Sequence, residues 1–127
     1  MQKLFITAII ILGTFVIGAS AQDRPIDKEI SFDLSLTQDA KSATVKKQIK
    51  LGTTHVYKLH ANPGQYAVVI LKTGNQTSFS IYSPTEGVIE DADGAKNWSG
   101  SLKESGDYLI SIGTDKTANY TLEVYIK

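Results

Sequence analysis

The sequence predicts an all-β protein, an antiparallel β-sandwich of seven to eight short strands. Three observations carry that expectation. Apolar residues recur at every second position, as in Phe32, Leu34 and Leu36 or in Tyr108, Ile110 and Ile112, which is the period of a half-buried strand. Turn residues punctuate these runs at short intervals, at Asn62-Pro63-Gly64, Thr73 to Gln76, Glu104 to Asp107 and Gly113 to Thr117. No stretch of the domain carries the 3.6-residue period of an amphipathic helix.

In chain order, residues 1–21 read as a secretory signal peptide. Lys3 supplies a short basic region, Leu4 to Ile17 an apolar stretch of fourteen, and Ala19-Ser20-Ala21 a small-residue cleavage site before Gln22. That stretch is shorter than the roughly 20 residues a membrane-spanning helix needs. The expected organisation is therefore a leader, 1–21, and one β-sandwich domain, 22–127, exported to the periplasm or secreted. No membrane anchor is expected, because the lipid-modified cysteine of a bacterial lipoprotein is missing.

Each strand has its own justification. Phe32, Leu34 and Leu36 alternate with Ser31, Asp33 and Ser35. Thr44 to Ile49 is more polar and suits an edge, where Lys46 and Lys47 discourage stray pairing. Val56 to Ala61 sets Tyr57, Leu59 and Ala61 against Lys58 and His60, and the Asn62-Pro63-Gly64 turn follows. Tyr66 to Leu71 is apolar on both faces and belongs at the centre of a sheet, with Val68 and Ile70 expected in the core. Phe79 and Ile81 point inward again. From Ser83 to Asn97 the alternation dissolves among Pro84, Gly87, Gly94 and four acids, and the segment reads as a long, mobile loop. Trp98 to Leu102 is a short strand. Tyr108, Ile110 and Ile112 face inward on the next, and Tyr120, Leu122, Val124 and Ile126 on the last. Tyr57, Leu59, Val68, Ile70, Phe79, Ile81, Ile110, Ile112, Leu122 and Val124 form the expected core.

Composition excludes whole classes of function. Without Lys3 the chain carries twelve basic and thirteen acidic residues, and no basic stripe exists to neutralise phosphates along a nucleic acid. Cysteine is absent, which removes disulfides, thiol nucleophiles and thiolate metal sites. A leader without cysteines suits a bacterial periplasmic or secreted protein. His55 and His60 are five residues apart, so a strand places them on opposite faces, where they cannot share a metal; both are expected to face solvent. No glycine-rich loop opens a helix, so no nucleotide cofactor is expected. Glu86, Glu90, Asp91 and Asp93 crowd one segment rather than facing each other across a cleft, as paired glycosidase acids must. The chain does not read as an enzyme.

Two short motifs remain. Asp91-Ala92-Asp93-Gly94 begins like a calcium loop, with Glu90, Asp91, Asp93 and Asn97 as candidate ligands, but Ala95 stands where the next oxygen is needed. Ser105-Gly106-Asp107-Tyr108 has two readings. In one, Gly106 makes a tight turn, Asp107 caps it and Tyr108 begins the alternation of a core strand. In the other, the same turn protrudes and displays hydroxyl groups to a partner.

Several stretches together resemble one family. They are Tyr57-Lys58-Leu59-His60-Ala61-Asn62-Pro63-Gly64-Gln65, Phe79-Ser80-Ile81-Tyr82-Ser83-Pro84, and Trp98-Ser99-Gly100-Ser101-Leu102 leading into Ser105-Gly106-Asp107-Tyr108 and Ala118-Asn119-Tyr120-Thr121-Leu122. With Ser42 to Lys50 they cover nearly all of residues 22–127. The pattern resembles the periplasmic inhibitors of goose-type lysozyme, and is similar to the pre-peptidase C-terminal β-sandwich domains of secreted bacterial peptidases. The resemblance to the inhibitors implies a non-catalytic protein whose S-G-x-Y turn plugs the lysozyme cleft, with Ser105, Gly106, Asp107 and Tyr108 at the interface. Against a cationic lysozyme, Glu86, Glu90, Asp91, Asp93 and Asp107 would speed encounter. The inhibitors carry a longer, arginine-rich loop between their last two strands, whereas this connection is only Gly113 to Thr117 and has no arginine. The resemblance to the peptidase-associated domains implies instead a partner that is a polysaccharide or another secreted protein, with Trp98 and Tyr82 as stacking surfaces.

Overall fold

Strands with one apolar face are stable only when a second layer covers that face. In the computed structural model, which describes residues 28–34, 36, 41–74 and 76–127, that layer is a second sheet. The nine strands among the described residues are β1 (Lys28–Leu34), β2 (Ser42–Ile49), β3 (Thr53–Ala61), β4 (Gln65–Lys72), β5 (Thr77–Ser83), β6 (Gly87–Ala95), β7 (Asn97–Leu102), β8 (Gly106–Thr114) and β9 (Ala118–Ile126). One sheet has the order β1-β3-β8-β5-β6 and the other β2-β9-β4-β7. The expected all-β sandwich is what forms. The proposed leader, residues 1–21, lies outside the described residues.

Three details depart from expectation. The sandwich is not wholly antiparallel, since β1 pairs parallel with β3 in the register Phe32↔Tyr57. Between them the chain crosses to the other sheet as β2 and returns, so β3 re-enters the first sheet running the same way as β1. The Ser83 to Asn97 segment is not an irregular loop, because most of it is β6, hairpin-paired with β5. Its alternation is broken by bulges: the register jumps from Phe79↔Ala95 to Ser80↔Asp93 and then to Tyr82↔Val88. Gly94, at φ +68, takes the left-handed conformation at the first of these. The Ser80 hydroxyl pins it, donating to Asp93 Oδ1 at 2.9 Å and accepting the Gly94 N–H at 3.1 Å.

The third departure is the face of β4. Ala67, Val69 and Leu71 are buried, whereas Val68 and Ile70 are only half-buried on the outer face. A strand apolar on both sides does not reveal which side faces in. Pairing decides it: Val69 lies opposite Val124, and Leu71 opposite Leu122, both buried residues of β9. The remaining expected core residues are all buried, and Ile110, Ile112, Phe79, Leu122 and Val124 are fully enclosed. Each such side chain contributes on the order of 1.5–3 kcal/mol.

Candidate functional site

Three turns meet at one end of the sandwich. The β3–β4 turn is Asn62 to Gly64, the β5–β6 turn Pro84 to Glu86, and the β7–β8 turn Lys103 to Ser105. The Gly64 N–H donates to the Leu102 carbonyl at 3.1 Å, joining the first to the third. The Thr85 hydroxyl donates to the Glu104 carboxylate, joining the second to the third. Within the second turn, the Ser83 hydroxyl accepts the Glu86 N–H at 2.9 Å. Ser83 followed by Pro84 is a turn signature in its own right, and it is the local signal for the β5–β6 turn within a segment whose alternation is otherwise broken.

The S-G-D-Y residues sit at the meeting point. Ser105 and Asp107 are exposed. Gly106 adopts φ +128, and a Cβ added there would come within 3.3 Å of Pro84. The position therefore requires glycine both for its backbone conformation and for the close approach of the two turns. Tyr108 is buried, 2% exposed, and its hydroxyl accepts the Glu104 N–H at 3.1 Å. It closes the turn from beneath rather than displaying its hydroxyl. His60 Nδ1 lies 3.1 Å from Asp107 Oδ1 on the outer face of the sheet.

A cleft of about 500 Å³ runs beside these turns, lined among others by Glu86, Glu90, Trp98, Lys103 and Glu104. Trp98 is half-buried, packed against the core. Its ring lies across Gly100, where a Cβ would come within 2.5 Å of it. The indole N–H is buried without a hydrogen-bond partner among the described residues.

The calcium candidates do not come together. Asp93 is engaged by Ser80, Glu90 and Asp91 lie along β6, and Asn97 belongs to β7, paired with Ile70 in the opposite sheet. Among the described residues no three His, Asp or Glu side chains could hold an ion together.

The histidines do lie on opposite faces, but only His60 meets solvent. His55 is 5% exposed and shares a 2.7 Å hydrogen bond with the Tyr120 hydroxyl, which shares another, of 2.5 Å, with Tyr57. Phe32 stacks on Tyr57 with ring centroids 4.9 Å apart, and the Lys47 ammonium lies 4.7 Å from the Phe32 centroid. Burial, and then the Lys47 charge, hold the His55 imidazole below its ordinary pKa. Burial pushes the Tyr57 and Tyr120 hydroxyls up. Among the described residues the hydrogen-bond partners of the two histidines are Tyr120 and Asp107.

No protein-family model and no curated protein sequence matches the chain. Solved structures do. Aeromonas hydrophila PliG, a periplasmic lysozyme inhibitor of g-type lysozyme, superposes with a TM-score of 0.68 at 25% identity, covering 80% of this chain and 99% of that one. The chain has the PliG fold. A mutant of PliG from Escherichia coli matches with a TM-score of 0.62 at 18% identity, and Salmonella Typhimurium PliG with 0.55 at 20%. Each covers 79% of this chain and 99% of the PliG chain, and both are described as periplasmic lysozyme inhibitors of g-type lysozyme.

Proposed function

We propose that this protein is an exported, non-catalytic inhibitor of a g-type lysozyme that docks through its three-turn end. The observation that carries this reading is the likeness to Aeromonas PliG over 99% of that chain at 25% identity. The same end holds the S-G-D-Y turn, which this reading places at the interface. Ser105 stands exposed on a turn braced by Pro84, Glu104 and Tyr108, so its hydroxyl is positioned before binding and loses little freedom on contact. A catalytic carboxyl of lysozyme is its natural partner, in a charge-assisted hydrogen bond. Asp107 and Gly106 shape the rim, and Tyr108 acts as a positioning residue for Ser105.

The rival reading, a polysaccharide binder, draws on Tyr82 and Trp98. Tyr82 is exposed, but the Trp98 ring is spent on Gly100 and the core. The inhibitor reading is the better supported.

The test is lysis of bacterial cell walls by goose-, chicken- and invertebrate-type lysozymes in the presence of the purified protein. We expect inhibition of the goose-type enzyme. Ser105→Ala should weaken it about ten- to a hundred-fold, the equivalent of losing about 1.5–3 kcal/mol from a charged hydrogen bond, without moving the melting temperature. Full activity of the goose-type enzyme at micromolar protein would overturn the proposal.

A further inference from the structure

The end of the sandwich opposite the three turns gathers several lysines. Here the β2–β3, β4–β5 and β8–β9 turns meet: Leu51 N–H donates to Thr117 Oγ1 at 3.0 Å, and Asp115 N–H to the Gln76 carbonyl at 2.9 Å. Lys50 and Lys116 lie on these connections, and Lys96, between β6 and β7, donates to the Gly74 carbonyl of the β4–β5 turn. Just inside them, across β2, β9 and β4, is an open depression of about 370 Å³ lined by Lys46, Lys47, Lys72, Asn119, Tyr120 and Thr121, with the Glu123 carboxylate beside it on Lys72.

Strand register makes this more than a scatter of surface lysines. Lys46 on β2 and Lys72 on β4 both pair with Thr121 on β9, so a single row runs lysine, threonine, lysine across three strands. With strands about 4.8 Å apart, the two lysine Cα atoms stand roughly 10 Å from each other, and both ammonium groups can converge above Thr121. Glu123, the next outward residue on β9, bonds Lys72 Nζ at 3.0 Å and tethers it beside the cavity. That contact raises the Lys72 pKa and lowers that of Glu123. Lys46 has no ion-pair partner among the described residues. Lys47 points to the inner side, over Phe32, and adds charge without blocking the row.

We propose that this cavity is a phosphate-binding site, with Lys46 and Lys72 gripping the anion from two sides and the Thr121 hydroxyl and Asn119 amide donating to it from below. Donors converging from several directions fit a tetrahedral oxyanion better than a planar carboxylate, with Lys46 supplying the uncompensated charge because Lys72 is already paired with Glu123. The phosphate is either free in solution or the headgroup of a phospholipid. The site lies at the far end from Ser105, so it stands independently of the lysozyme reading.

The purified protein would be titrated with inorganic phosphate, and with sodium chloride at matched ionic strength, following backbone amides by NMR. Phosphate should shift Lys46, Asn119, Tyr120 and Thr121 saturably while chloride does not. Lys46→Gln, and separately Thr121→Val, should weaken the apparent affinity, the lysine change by roughly tenfold. Sedimentation with phosphatidylglycerol vesicles, against phosphatidylcholine vesicles as control, separates the two sources. Phosphate shifts together with capture by the anionic but not the neutral vesicles, lost in Lys46→Gln, assign a lipid headgroup, and phosphate shifts without vesicle capture assign the free anion. Equal shifts with chloride, or none with phosphate at tens of millimolar, would overturn the site.

Discussion

The two ends of this sandwich are built alike and carry different side chains. Each gathers several connections and ties them with cross-turn hydrogen bonds, Thr85 to Glu104 and Gly64 to Leu102 at one end, Leu51 to Thr117 and Asp115 to Gln76 at the other. The turn end carries Glu86, Glu104 and Asp107 together with Lys41, Lys103 and Lys127, while the far end carries Lys50, Lys96 and Lys116 with Asp115, and Lys72 there is paired with Glu123. What separates the ends is not backbone architecture but side-chain chemistry on equivalent scaffolds, and a neutral total says nothing about either surface.

The ends share one core, and the largest expected effect tests that. Ile110→Ala removes a fully buried side chain midway along β8 and should destabilise the fold by about 2–5 kcal/mol in denaturant unfolding. Both ends should melt together, and a variant in which one end unfolds first would break the picture of a common support. Gly106→Ala acts on the turn end alone. It forces a side chain into φ +128 against Pro84 and should cost about 1–3 kcal/mol, with hydrogen exchange rising at Glu104 to Asp107 but not at Asn119 to Thr121.

Tyr108→Phe is milder. It deprives the Glu104 N–H of its acceptor at the cost of about 1 kcal/mol, and should loosen the β7–β8 turn while leaving the core ring in place. If this variant inhibits lysozyme like the parent, the hydroxyl neither contacts the partner nor positions Ser105.

The smallest effect lies between the ends and depends on pH. His55 titrates below 6.5 in the folded protein, because burial and then Lys47 disfavour its charged form. The unfolded chain therefore binds more protons as pH drops below 6.5. Stability should be full above that value and decline as pH falls through the folded pKa. Thermal melts between pH 7 and 5 would show this slope, and His55→Phe should flatten it. An unchanged slope would mean that the His55–Tyr120 pair does not couple folding to protons.

Much of this was legible in the linear chain and some could not be. Alternation on β3, β5, β8 and β9 is strong, and those strands and their inward residues follow from period two alone. The β7–β8 turn was equally plain, since Ser-Gly-Asp between two strands has few other uses. His55 misled because its alternation partners are Tyr57 and Leu59, which place it inward, while its polarity argued outward; only Tyr120, 65 residues away, supplies the bond that lets it be buried.

By itself, then, the sequence determined the things that neighbours along the chain decide: strands, turns, the two-layer class and the exposed Ser105. Tertiary structure alone decided which face of β4 turns in, that β6 is a bulged strand, that β1 runs parallel to β3, and that the Ser83–Glu86 turn braces the S-G-D-Y turn. It also decided that Lys46 and Lys72 flank one threonine. The physical reason is the same in each case. A strand's period is written in consecutive residues, but its register, its partners and the burial of its polar groups depend on strands far away in sequence, through hydrogen bonds and packing that no local window contains.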